Sequence, residues 1–143
     1  TGPLESLVSQ APNIQNMGFL QGSALETVVR QARFSVCPSE CYENCPFSVM
    51  ESQQYVTPVV GARIGGIPEL IQEGKTGVLF ESGNADQLQQ TILGLWESPA
   101  VLDRMSENCR NLPFDTLPVY YRKLMKIYRG STDKPSQEEN IHG

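Results

Sequence analysis

What most constrains this chain is an alternation of short apolar runs with segments of helical spacing. "RFSVCP", "TPVVGA" and "TGVLF" are brief, rich in β-branched or aromatic residues and bounded by turn formers, which predicts buried strands. Between them, "PFSVMESQQY", begun by Pro46, and "GIPELIQEG", closed by Gly74, read as helices. Strand, helix and strand in this order predict an α/β domain with a Rossmann-like parallel sheet flanked by helices. In such sheets ligands bind at the C-terminal ends of the strands, where loops enter helix N-termini.

The flanks extend the pattern. "PLESLVSQA" has Leu4, Leu7 and Val8 at the spacing of a short helix, and "NIQNMGFL" reads as a strand bent at Gly18. Ser23, with Glu26 three residues on, predicts a capping box before "SALETVVRQA". Asn84 is the expected N-cap of "ADQLQQTILGLWES", and "AVLDRMSENCRNL" and "LPVYYRKLMKIYR" complete the helices. Residues 130–143 have almost nothing to bury and are expected to be disordered.

A length of 143 residues suits one domain with a real core. The net charge of -5 excludes a general nucleic-acid or anionic-membrane surface but leaves room for a local site for a small anion. There is no apolar run of roughly 20 residues and no basic, apolar leader at the start, so a cytoplasmic protein is expected. The last helix carries Arg122, Lys123, Lys126 and Arg129 beside Tyr120, Tyr121, Leu124 and Ile127. That composition leaves open a peripheral contact at the inner face of a membrane.

Two sets of residues compete for the chemistry of residues 37–52. Cys37, Cys41 and Cys45 form C-x3-C-x3-C, but metal-binding runs are tighter and have a fourth ligand, and the single His is His142 in the tail. The thiols therefore read as packed or incidental, Cys37 as a small buried hydrophobe and Cys109 as a residue of a late helix far away in sequence, and no metal is expected. Glu43 and Glu51 bracket the start of the helix at Pro46, Glu51 lying on the order of 7 to 8 Å along its axis. The free amides and dipole at that start make an anion site between two carboxylates. This is the shape of a site for a ligand with hydroxyls at both ends and phosphate between them, as in a nucleotide sugar.

The wording of the sequence adds weight. Pro38-Ser39, Glu43 and Glu51 as E-x7-E, Thr57-Pro58-Val59-Val60, Gly65-Gly66-Ile67-Pro68-Glu69 and Glu73-Gly74-Lys75-Thr76-Gly77 follow one another in a fixed order. Together they resemble the C-terminal nucleotide-sugar-binding half of the retaining glycosyltransferases of family four, which have the GT-B fold. The resemblance runs over residues 1–129 and implies a donor-binding domain lacking its first strand.

The resemblance implies that Glu43 lies beside the donor sugar as positioner and electrostatic partner, and that Glu51 holds the ribose hydroxyls. It places the donor phosphates at backbone amides within Asn44 to Val49, among them those of Cys45, Phe47 and Ser48, and sets Gly65 and Gly66 close to the donor. Pro46 offers no N–H, which removes one possible contact. Glu69 reads as a residue favoured by a helix dipole, and Lys75 and Ser39 as turn residues. The implied activity is transfer of a sugar, with retention, from a nucleotide-diphosphate sugar to a glycan, lipid or other acceptor in polysaccharide or glycoconjugate assembly, with no cofactor. An N-terminal acceptor-binding domain and a basic pair for the diphosphate are expected upstream of Thr1, so the chain alone is expected to be inactive. The competing expectation is a non-catalytic interaction module on the same fold, motivated by Asn44-Cys45-Pro46.

Overall fold

The computed structural model describes residues 5–115 and 117–132. The chain divides after Leu112 into two compact units. The first contains α1 (Glu5–Gln10), α2 (Ser23–Gln31), β1 (Ser35–Cys37), α3 (Phe47–Gln54), β2 (Val59–Ala62), α4 (Ile67–Leu70), β3 (Gly77–Phe80), α5 (Ala85–Trp96) and α6 (Pro99–Arg110). The second contains α7 (Leu117–Thr132).

The three strands form a parallel sheet in the order β1-β2-β3, with Val36 opposite Val60 and Val60 opposite Val78. Alternation along β2 divides the core between the two faces of the sheet. Val60 and Ala62 join Phe80, Leu95, Leu102 and Met105 beneath α5 and α6. Val59 joins Val49, Ile67, Ile71 and Leu79 beneath α3 and α4. A parallel sheet covered on both faces needs runs that are apolar throughout, and all four residues of β2 are buried.

Helix α3 is anchored by its buried Val49 and by hydrogen bonds to its surroundings. Its buried Ser52 exchanges a hydroxyl bond of 2.7 Å with Ser35 and donates to the Thr57 carbonyl. Gln53, 3% exposed, donates to the Leu70 carbonyl and to the Thr76 hydroxyl, and Thr57 donates to the Val29 carbonyl. No buried side-chain polar atom among the described residues lacks a partner. The network fixes the helix's rotation, because turning it would leave Gln53 unsatisfied at a cost of about 1–3 kcal/mol.

The C-terminus of α3 closes in a Schellman motif: Thr57 N–H bonds the Ser52 carbonyl and Val56 N–H the Gln53 carbonyl. The left-handed residue of this motif is usually glycine, yet here it is Val56, at φ 68. A left-handed backbone costs a residue with a Cβ about 1–2 kcal/mol, and glycine returns about 0.5–1 through unfolded-state entropy. Val56→Gly is therefore expected to raise the unfolding free energy by about 0.5–1 kcal/mol in urea titrations.

Several sequence expectations are corrected. Residues 13–20 form no strand: Asn13 and Gly18 both have φ 64, which breaks an extended run. Ser23 is the first residue of α2 and Gly22 its cap, so there is no capping box; Glu26 pairs with Arg30 instead. Helix α4 ends at Leu70, where the chain turns to place Gln72 N–H on the Thr76 hydroxyl. Pro46 is the N-cap of α3 and not its first residue. Asn84 does cap α5, accepting from Gln87 N–H. Helix α7 runs through Thr132, past the expected boundary at 130; the expected disorder of the remaining tail lies outside the described residues. No helix among the described residues is long and apolar enough to cross a membrane.

A candidate donor site at the start of helix α3

The loop from Pro38 to Pro46 leaves the C-terminal end of β1 and delivers the chain to α3. Its first turn is closed by Ser39, whose hydroxyl accepts from Cys41 N–H at 3.3 Å and donates to the Cys41 carbonyl at 3.2 Å. The Ser39 hydroxyl also lies 3.4 Å from Glu43 Oε1, and its carbonyl accepts from the Ser82 hydroxyl. Ser39 is thus the turn former its sequence suggests.

Gly65 and Gly66 hold the far end of this loop. Gly66 N–H donates to the Glu43 carbonyl at 2.7 Å. A Cβ at residue 66 would stand 1.9 Å from the Asn44 carbonyl oxygen, and one at residue 65 would stand 2.5 Å from that of Glu43. Gly65 also has φ 54. Two residues without side chains allow the loop before α4 to lie directly on the Glu43–Asn44 backbone, which sets the position of Glu43. The contact reaches across about twenty residues of sequence, so local spacing gives no sign of it.

The helix start supplies unspent donors. Pro46 occupies the cap, where its missing N–H costs the helix nothing. The Val49 amide donates to the Pro46 carbonyl at 3.1 Å, and the Val49 side chain is fully buried. The Phe47 and Ser48 amides, at the first two positions of α3, have no partner within the helix. Glu43, Asn44, Cys45, Phe47, Ser48 and Glu51 are all exposed around them. Cys45 Sγ lies 3.3 Å from Met50 Sδ.

Ser48 and Glu51 also line a cavity of about 210 Å³ between α2, β1 and α3, whose other walls include Leu25, Val29, Val36 and Cys37. The α2 walls were not foreseen, because nothing local to α2 indicates what it faces. Glu69 lies in the first turn of α4, and Lys75 in a turn whose amides return to the Gln72 carbonyl.

The thiols are distributed by environment. Cys41 and Cys45 are exposed, Cys37 is half-buried and Cys109 is buried. The described residues hold no group of three His, Cys, Asp or Glu side chains that could bind a metal. Burial pushes the Cys109 thiol from 9.0 to about 11. The folded chain therefore holds this proton more tightly than the unfolded one. The associated stability is present below about pH 9 and is lost as pH rises towards 11. Cys109→Ala is expected to flatten the fall in unfolding free energy between pH 8 and 10.5, measured by urea denaturation at each pH.

Comparison with known proteins places this geometry. Residues 1–98 match the family model described as glycosyl transferases group 1. Sulfoquinovosyl transferase SQD2 of Arabidopsis thaliana is 41% identical over 86 residues, covering 58% of this chain and 16% of that protein. Trehalose phosphorylase of Grifola frondosa is 35% identical over 118 residues, covering 78% of this chain and 16% of that protein. Among solved structures, Anabaena HepE in complex with UDP superposes with a TM-score of 0.72 at 19% identity, covering 81% of this chain and 32% of that one. The chain thus spans a minor part of the length of each. The family match takes in well over half of the chain, all three strands of the sheet and the loop that carries Glu43, and the chain belongs to the glycosyl transferases group 1 family.

Proposed function

We propose that this chain is the donor-binding half of a retaining glycosyltransferase that takes its sugar from a nucleotide-diphosphate sugar. The observation that carries the reading is the clamping of the Glu43–Asn44 backbone by Gly65 and Gly66 beside the unspent amides that open α3. In this reading the Phe47 and Ser48 amides and the α3 dipole receive the diphosphate, stabilising the charge that grows on it as the sugar departs. Glu51, a turn further along the helix, accepts hydrogen bonds from the ribose hydroxyls, and Glu43 positions the sugar and balances its developing positive charge. Asn44 and Cys45 contribute backbone in the bend between them.

The family relationship supports transfer chemistry, and the UDP bound to HepE supports a nucleotide ligand. The acceptor site and the remaining diphosphate contacts are assigned to sequence outside these residues, so the chain alone does not transfer sugar. The acceptor is a glycan, a lipid or another acceptor of polysaccharide or glycoconjugate assembly, and the protein works in the cytoplasm. The alternative, a non-catalytic interaction module on the same fold, rests on Asn44-Cys45-Pro46 and on the basic pair absent from this chain; the place of Pro46 at the cap, where no helical amide is lost, favours the donor-binding reading.

Stereochemistry tests the reading directly. Transfer from an α-linked nucleotide sugar by the natural protein is expected to give an α-linked product by proton NMR of the first-formed glycoside. A β-linked first product would refute the retaining assignment.

A further inference from the structure

The loop that carries Glu43 is tied down at a second point besides Gly66. The Ser82 hydroxyl donates to the Ser39 carbonyl at 3.1 Å, across 43 residues of sequence. Ser82 lies in the connection from β3 to α5, which is rigid on its own account. Asn84 N–H donates to the Glu81 carbonyl at 3.0 Å, and Gly83 takes φ 79, the left-handed conformation that the third position of a type II turn requires. Glu81 N–H donates to Gln87 Oε1, the Glu81 carboxylate pairs with Arg63 at 3.0 Å, and the Asn84 side chain caps α5. Ser39 is likewise held within its own turn by both hydrogen bonds to Cys41. Neither loop therefore needs the Ser82 bond to keep its own shape. What the bond fixes is the place of one loop relative to the other. Between them lies a cavity of about 100 Å³ whose walls include Pro38, Glu40, Phe80 and Asn84, and no other hydrogen bond among the described residues joins the two loops.

We infer that Ser82 is a positioning residue for sugar transfer, acting on Glu43 through Ser39. The Ser39 whose carbonyl Ser82 holds has its hydroxyl 3.4 Å from Glu43 Oε1, while Gly66 N–H fixes the Glu43 carbonyl at 2.7 Å. The Glu43 carboxylate is exposed and hangs on rotatable bonds, so without a partner it would visit several rotamers. A hydrogen bond to an ionised carboxylate is stronger than one to a carbonyl, so the proton that Ser39 shares between Cys41 and Glu43 favours the carboxylate. By setting where Ser39 stands, Ser82 sets where that carboxylate points. Ordering the group in advance removes an entropic cost from the step in which positive charge develops on the sugar. This role rests on the reading of Glu43 as positioner of the donor sugar, and it leaves the nucleotide contacts of α3 untouched.

Steady-state kinetics test it on the natural protein, its Ser82→Ala, Ser82→Thr and Glu43→Ala variants, and the variant carrying both alanines. The probes are UDP-glucose, GDP-mannose and ADP-glucose, with release of nucleoside diphosphate as the readout. On the probe that the parent turns over fastest, Ser82→Ala is expected to lower kcat by about 5- to 30-fold and to change KM by about twofold or less. Ser82→Thr keeps the hydroxyl and is expected to bring kcat back to within about threefold of the parent. In the Glu43→Ala background, Ser82→Ala is expected to lower kcat no further, because the group it positions is gone. A parental kcat in Ser82→Ala, beside a Glu43→Ala variant that has lost turnover, would overturn the role of Ser82 and leave the reading of Glu43 standing. Equal losses from Ser82→Ala in both backgrounds, or no recovery with threonine, would also overturn it. A parental kcat in Glu43→Ala would overturn both readings together.

Discussion

Alanine at position 66 is expected to lower stability by about 2–4 kcal/mol and to remove most transfer activity. The new methyl would stand 1.9 Å from the Asn44 carbonyl oxygen, a backbone atom that cannot swing aside as a side chain can. Overpacking of this kind costs about 1–3 kcal/mol, and losing the Gly66 to Glu43 hydrogen bond adds about 0.5–1.5. The backbone torsions at Gly66, φ -83 and ψ -3, suit alanine, so the whole effect is steric. Gly94→Ala is the internal control: its Cβ would meet nothing within 4 Å, and it lies inside α5. That variant is expected to gain about 0.5–1 kcal/mol and to keep full activity. Urea denaturation with a parallel transfer assay, both on the natural protein, reads both variants. The informative quantity is activity per folded molecule, which falls only if moving the loop displaces Glu43.

Glu51→Ala is expected to weaken binding of a nucleoside diphosphate by about 10- to 100-fold while leaving the melting temperature nearly unchanged. The carboxylate is exposed, so its loss leaves no buried partner unsatisfied. Hydrogen bonds to a charged group contribute about 1.5–3 kcal/mol each, part of which water competes away. Glu51→Gln keeps the shape and one acceptor and should fall between the two. Glu43→Gln separates the roles of the two carboxylates: affinity for the nucleoside diphosphate is expected to hold while turnover falls. A Glu51→Ala protein that binds as the parent does would reassign the ribose contact.

Much of this was legible in the sequence where the signal is local. The three strands are dense apolar runs, and the Asn84 cap is one side chain meeting an amide three residues on. Residues 13–20 misled because Ile14, Met17 and Phe19 look like material for a strand, whereas Asn13 and Gly18 decide the backbone. The inward face of helix α3 contains Ser52 and Gln53, which are satisfied by Ser35, Leu70 and Thr76. Those partners are scattered along the chain, so spacing cannot reveal them.

The same distinction runs through the candidate site. Glu43 and Glu51 stood out by their order among other motifs, and the helix start between them followed from Pro46. The roles of Gly65 and Gly66 did not, because a turn-making glycine and a glycine that admits another backbone are identical in sequence. Val49 entered the phosphate-binding set through the resemblance; its amide donates to the Pro46 carbonyl, and its side chain belongs to the core beneath α3, neither of which spacing indicates.

Isothermal titration of the natural protein with UDP, GDP, ADP and inorganic phosphate, repeated on Glu51→Ala, tests the donor-site assignment most directly. The account predicts saturable binding of at least one nucleoside diphosphate, at least tenfold weaker in the variant, with inorganic phosphate much weaker than either. Binding of inorganic phosphate alone, or of none of the four, would contradict it.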